Sequence, residues 1–360
     1  MKINSFTDEM MKKRALISKG DKNRLWSVMR KAGRGETITF SVIGGSVTQG
    51  CHAEKKSESY AELVYSWWKE KFPGTPINYI NAGVGATDSY IGVHRADRDL
   101  LNHHPDIVIV EFSVNDTDEV INSKSFGSLV RKILLSEKNP AVIILANVKK
   151  DGSNLQEAHS AVGIEYNLPV ISLANALFPE IEKGNIIWND LYTDEVHPST
   201  LGHAVIGELI NSYLDEVYSE ANNSDICINK IHEKNDMYAD AHILDNMTVI
   251  PSECSGFVKS DIFYQFPNGW TAEKSGFISF EVKCKNIGLL YYKTTDGKSG
   301  TCSVSVDGEY ISSVNGDFPE GWGNYADYSQ IYVSENPKNH IIKISLEGEK
   351  SFTVLGLCIS

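Results

Sequence analysis

A three-layer α/β/α domain on a parallel sheet, followed by an antiparallel, jelly-roll-like β-sandwich, is the architecture this sequence predicts. Three observations lead there. Apolar runs of strand length recur over residues 36–219, spaced widely enough for helical crossovers; a polar stretch without periodicity follows; and beyond it short β-rich runs are separated by Gly, Asn, Asp and Pro. At roughly 150 residues per domain, a chain of 360 residues has room for two. The expected boundaries are a helical extension over 1–35, the α/β domain over 36–219, a linker over 220–245 and the sandwich over 246–360.

In chain order, residues 7–33 read as helical, with Leu16, Leu25, Trp26 and Met29 set among Lys and Arg and an interruption near Gly20. TITFSVIGG (37–45) has the branched, apolar make-up of a buried strand and runs directly into glycine and serine. SESYAELVYSWWKEKF (57–72) has helical spacing, a polar start and a Pro-Gly stop. INYINAGV (77–84), DIVIVEFSV (106–114), AVIILANV (141–148) and LPVISLA (168–174) supply four more strands. LQEAHSAVGIEYN and the stretch from Ser199 supply helices. Their near-continuous apolarity fits parallel strands covered on both faces. In the second domain GFISFEVKC, NIGLLYYKT, GTCSVSVDGEYISSV, HIIKISL and SFTVLGLCI read as strands, with Asp307-Gly308 as a hairpin turn.

Composition narrows the function. Thirty-four basic against 47 acidic residues leave a formal charge of −13, which opposes binding to a phosphate backbone, so nucleic acid is not an expected partner. No apolar run reaches the roughly 20 residues that cross a bilayer, so no membrane partner is expected. The opening residues lack the apolar core of a signal peptide, and the six cysteines form no CxxC or other close pair. A reducing cytoplasm is the expected location, with homo-oligomerisation left open.

Two short segments carry chemistry. In VIGGSVTQG (42–50), Ser46 follows a strand and two glycines, where a hydroxyl can be displayed at the carboxyl end of a sheet; the bland alternative is a structural turn. In TDEVHPSTLGH (193–203), Asp194 and His197 stand three apart before a helix, so a carboxylate can orient an imidazole that activates a serine; turn and cap residues are again the alternative. Asp116, Asp118, His94 and His203 show no compact metal-ligand motif, and neither a metal nor a cofactor is expected. Cys51 lacks a local base.

With these segments in place, the stretch from about 35 to 215 resembles the SGNH, or GDSL-type, hydrolase superfamily. Four ordered blocks carry the resemblance: GGSVTQG at Ser46, NAGVGATDS at Gly83, EFSVND at Asn115 and DEVHP at Asp194 and His197. The resemblance implies that Ser46 is the nucleophile and His197 the base, oriented by Asp194. It also implies an oxyanion hole formed by the Ser46 main-chain N–H, Gly83 and Asn115. Ser113 departs from the glycine many relatives carry before the variable residue and Asn115. VEFSVND is similar to the branch that deacetylates carbohydrates, and the C-terminal region resembles the β-sandwich modules associated with such esterases. The resulting expectation is a serine esterase that removes small O-acyl groups, acetyl foremost, from an oligosaccharide or small ester. A lipase or thioesterase, and an inactive sugar-binding protein, are the alternatives. Trp322 and Tyr325, in the glycine-containing PEGWGNYADY, are candidate sugar contacts, with structural packing as the other reading.

Overall fold

A computed structural model describes residues 7–221, 224–232 and 236–360. Two compact units divide the chain near residue 235. In the first, β1 (Leu16–Ser18), β2 (Ile38–Gly44), β3 (Ile77–Gly83), β4 (Ile107–Glu111), β5 (Ala141–Ala146) and β6 (Val170–Ser172) form a sheet of order β1-β6-β5-β4-β2-β3. All pairings are parallel except β1 with β6. The extension read as helical with an interruption near Gly20 therefore contributes a strand just before that break, between α1 (Glu9–Ala15) and α2 (Asn23–Gly33). Leu16 and Ser18 pair with Ile171 and Val170, covering an edge that the short β6 would otherwise expose.

The helices between strands are α3 (Ser46–Gln49), α4 (Tyr60–Lys71), α5 (Ser89–Asp99), α6 (Glu119–Leu135) and α7 (Gln156–Glu165). After β6 come α8 (Leu173–Glu182), α9 (Trp188–Leu191) and α10 (Thr200–Glu220). One face of the sheet, with Phe40, Val42, Ile109 and Ile143, joins a single buried cluster with Leu25 of α2, Val64 and Trp68 of α4, Leu177 of α8 and Ile210 of α10. On the opposite face Gly163 of α7 lies so close to the sheet that an added Cβ would come within 2.3 Å of the Val170 side chain. Burial on both faces is why β2 and β5 are buried along their whole length and read as unbroken apolar runs.

Strand order positions the site. β2, first of the parallel strands, lies between β3 and β4, so the chain winds outward in opposite directions from it, and the carboxyl ends of β2 and β4 mark the switch point at which open α/β sheets hold their ligands. Gly44, Gly83 and Glu111 lie level at those ends.

The second unit contains β7 (His242–Leu244), β8 (Glu253–Ser260), β9 (Gly269–Lys293), β10 (Thr301–Val306), β11 (Glu309–Asn315), β12 (Tyr325–Leu346) and β13 (Phe352–Ile359). Their order is β11-β10-β12-β9-β13-β7, with β8 on β9, and they close over one apolar core as a sandwich. GFISFEVKC and NIGLLYYKT, read as two strands, are one long β9: residues 270–272 pair with β8 and β13, and its later part runs along β12 across bulges. β13 pairs with β9 in parallel, an exception to the otherwise antiparallel unit. β7 falls inside the segment read as linker and pairs with β13. Asp307 and Gly308 both adopt positive φ, the requirement of a two-residue hairpin turn between β10 and β11. Among the described residues no helix is long and apolar enough to cross a membrane.

Candidate active site

β2 ends at Gly44, and after Gly45 the chain turns at once into the single turn of α3, whose first residue is Ser46. The Ser46 hydroxyl, 9% exposed at the residue level, lies 2.9 Å from Nε2 of His197. His197 belongs to the loop between α9 and α10, which is closed by Thr193 N–H donating to the His197 carbonyl (2.9 Å) and by a bridge between Tyr192 and Pro198. Asp194 divides its carboxylate between two tasks. Oδ1 accepts the backbone N–H groups of Val196 and His197, both at 2.7 Å, and Oδ2 accepts from His197 Nδ1 at 2.7 Å. Burial opposes its ionisation, but the bonds from the His197 and Val196 backbone and from the His197 ring prevail and hold the carboxyl below its ordinary range. An ionised Asp194 fixes the proton of His197 on Nδ1, so Nε2 is the acceptor and Ser46 O–H the donor.

Asn115 follows β4 in a tight turn in which the amides of Asn115 and Asp116 both donate to Phe112 O at 2.9 Å. Its carboxamide lies against Gly45: a Cβ there would sit 2.3 Å from Asn115 Oδ1 and 3.1 Å from Nδ2. Glycine at 45 thus admits the amide beside Ser46. Ser113, the departure from the family pattern, is accommodated by its hydroxyl donating to Asn147 O at 2.9 Å.

Gly83 is not free to serve as an oxyanion donor. Its N–H is spent on Asn81 Oδ1 at 2.8 Å, and it packs on the backbone of α3, where a Cβ would be 2.3 Å from the Gln49 nitrogen. The following turn, closed by Thr87 N–H to Val84 O (3.3 Å), approaches Ser46 instead: an added Cβ on Gly85 would lie 3.8 Å from the Ser46 Cβ. Gly85 N–H donates to Gln49 Oε1 at 3.0 Å, and the next amide, Ala86, donates to no described residue. Ala86 has φ +59°, a left-handed conformation costing a non-glycine residue about 1 kcal/mol or more. The sequence signal for this turn was the second glycine of NAGVGATDS.

Beneath Ser46 lies a group the sequence reading did not single out. Glu111, wholly buried at the end of β4, accepts from Thr48 Oγ1 of α3 at 3.4 Å, and Thr48 in turn pairs with the Tyr60 hydroxyl at 2.8 Å. Burial, assisted by the nearby Asp116 charge, pushes the Glu111 carboxyl up to about 8. Between about pH 4.5 and 8 the folded chain therefore holds a proton that the unfolded chain releases, and stability falls as pH rises through that window. The linkage is on the order of 5 kcal/mol at most. Glu111→Gln carries no charge to desolvate, so its melting temperature relative to wild type should climb by several degrees between pH 5 and 8 and then level off. A difference independent of pH would show that the carboxyl is not neutral in the fold.

The residues considered as metal ligands have other partners. Asp116 pairs with His159 at 2.8 Å and caps α5 through Ser89 N–H, Asp118 caps α6, and His203 bonds Cys51 O at 2.9 Å and accepts from Tyr60 N–H. Burial raises the Cys51 thiol, the opposite of an activated thiolate. In the second unit Trp322 is exposed and stacks on Tyr325, ring centroids 4.9 Å apart, with Phe318 edge-on to both.

Fold and site together place the protein among serine-type carboxylic ester hydrolases. The profile of the GDSL-like lipase/acylhydrolase family matches residues 42–205. A crystal structure of a two-domain esterase (CEX) active on acetylated mannans, co-crystallised with mannopentaose, is 32% identical with a TM-score of 0.89, covering 97% of each chain. A second crystal structure of a two-domain esterase (CEX) active on acetylated mannans is likewise 32% identical, with a TM-score of 0.90, covering 97% of this chain and 98% of the other. No curated protein matches the sequence. The chain belongs to the GDSL-like lipase/acylhydrolase family, in a two-domain form.

Proposed function

We propose that this protein removes acetyl groups from acetylated manno-oligosaccharides through an acyl-enzyme on Ser46. The observation that carries the chemistry is the unbroken line from Ser46 Oγ through His197 to Asp194. The substrate class rests on similarity over nearly the whole of both chains to an esterase active on acetylated mannans. In the first half-reaction Ser46 Oγ attacks the acetyl carbonyl as His197 Nε2 takes its proton, and Asp194 stabilises the imidazolium. The developing oxyanion is received by the Ser46 and Ala86 N–H groups and the Asn115 carboxamide, each such donor being worth about 2.7 to 4 kcal/mol in the transition state. His197 then protonates the departing sugar oxygen. Water, deprotonated by the same imidazole, attacks the acetyl-serine and releases acetate.

Exposed Trp322, stacked on half-buried Tyr325, offers an aromatic face of the kind on which sugar rings stack, and we assign the pair to substrate binding. The free state of all six cysteines supports a reducing, cytoplasmic setting, in which imported oligosaccharides rather than intact polymers would be the substrates. Acetate release, read by mass from acetylated manno- and xylo-oligosaccharides beside acetyl and octanoyl esters of one chromophore, tests the proposal. Mannan fragments and the acetyl ester should be turned over fastest. Preference for octanoyl would make the protein a lipase or thioesterase, and sugar affinity without turnover on any ester would make it a binding protein.

A further inference from the structure

One imidazole beside the triad has no part in the esterase mechanism. His52 follows the nucleophile turn in a left-handed conformation, φ +67°, and its ring lies against that of His197, centroids 4.7 Å apart and planes inclined by 26°. Its Nδ1 meets Thr193 Oγ1. The single proton of that hydroxyl is already directed to the His197 carbonyl oxygen at 3.1 Å, so His52 Nδ1–H is the donor and Nε2 keeps its lone pair. Ligand atoms of His52, Asp194 and His197 all lie within 4.8 Å of one another, and His52 and Asp194 are exposed.

We infer that His52, His197 and Asp194 form a binding site for a divalent transition cation of the zinc type, which inhibits the enzyme reversibly. Two imidazoles and a carboxylate are three of the four ligands zinc takes, and water supplies the fourth. Tetrahedral ligands around zinc stand roughly 3.3 Å apart, so the three groups must draw together, which movement of the exposed His52 side chain toward the Asp194–His197 pair permits. Magnesium, which favours six oxygen ligands, finds little here. Capture engages either Nδ1 of His197, moving its proton to Nε2, or Nε2 itself, and in both cases the acceptor for the Ser46 proton is lost. The ion is an inhibitor rather than a cofactor. Its effect on turnover rests on the proposed triad, whereas its binding does not.

The test separates the two. Zinc chloride is titrated calorimetrically into the full chain, into Ser46→Ala and into His52→Asn, asparagine being chosen because it tolerates positive φ. Exposed Cys227 and Cys254 are replaced by serine throughout, since thiolates compete for zinc. Turnover of an activated acetate ester is followed in parallel for wild type and His52→Asn, each against its own metal-free rate. The expected result is one zinc ion per chain at micromolar concentration in wild type and Ser46→Ala, and at least tenfold weaker binding in His52→Asn with the same shift in half-inhibition. A chelator should restore the rate, and millimolar magnesium should leave it unchanged. Zinc affinity or sensitivity unaltered in His52→Asn, or no binding to wild type, would overturn the inference. Zinc bound by Ser46→Ala alongside a wild type inert on every ester would sustain the site and reject the triad instead.

Discussion

Replacing Ser46 with alanine is expected to abolish the acyl-enzyme burst on an activated acetate ester and to lower kcat by about 10⁶-fold, the scale at which loss of a serine nucleophile is felt. The fold should survive, because the side chain supports nothing but His197. Its only described hydrogen bond is the 2.9 Å contact to Nε2, and the turn is held by the backbone, with the Ser46 carbonyl accepting from Gly50 and Cys51 N–H at 3.1 and 3.0 Å. Alanine also suits a helical turn better than serine does. Residual catalysis some 10³-fold or more above water should persist, since the oxyanion donors and the substrate site remain. The burst amplitude decides the matter: an unchanged burst in a variant that melts like wild type would remove Ser46 from the reaction.

The parts of this protein that were legible in its sequence are those set by short-range chemistry. Asp194 and His197 lie three residues apart, and that spacing lets one carboxylate cap the turn through Oδ1 and reach the ring through Oδ2, so a local motif encodes the pair. The buried strands were legible because burial on both faces leaves their residues little choice but apolar ones. The amide proposed to receive the oxyanion was not legible in the same way. Gly83 and Ala86 are both near Ser46 in the chain's layout, but which N–H is left unspent depends on the Asn81 and Gln49 side chains reaching across from β3 and α3, and no spacing rule records that. Glu111 escaped notice because an acid at the end of an apolar strand reads as the point where the chain meets water, whereas Thr48 and Tyr60 close over it. Similarly, β9 read as two strands because Lys283, Lys285 and Asn286 resemble a turn. The bulges of its partner β12 absorb the mismatch, and the strand continues.

Asp194→Asn is expected to cost about 10⁴ in kcat with little change in KM, although it replaces one atom and removes no contact by shape. The reason lies in the division of labour between the two carboxylate oxygens. Oδ1 is held by two backbone donors, Val196 and His197 N–H, each at 2.7 Å. In asparagine the oxygen must stay in that position, because turning the amide over would point its NH₂ at two N–H groups and leave three donors without an acceptor. The NH₂ therefore faces His197 Nδ1, which can meet it only as an acceptor. The imidazole proton then moves to Nε2, the ring nitrogen 2.9 Å from Ser46 Oγ. A base that already carries a proton there cannot take one from the serine, so the site keeps its geometry and loses its function. Nitrogen chemical shifts of the His197 ring supply a readout that a merely structural defect would not reproduce: the proton should be on Nδ1 in the wild type and on Nε2 in the variant. Should Asp194→Asn retain activity within tenfold of wild type, or keep the wild-type tautomer while losing activity, Asp194 would not be the group that orients the base.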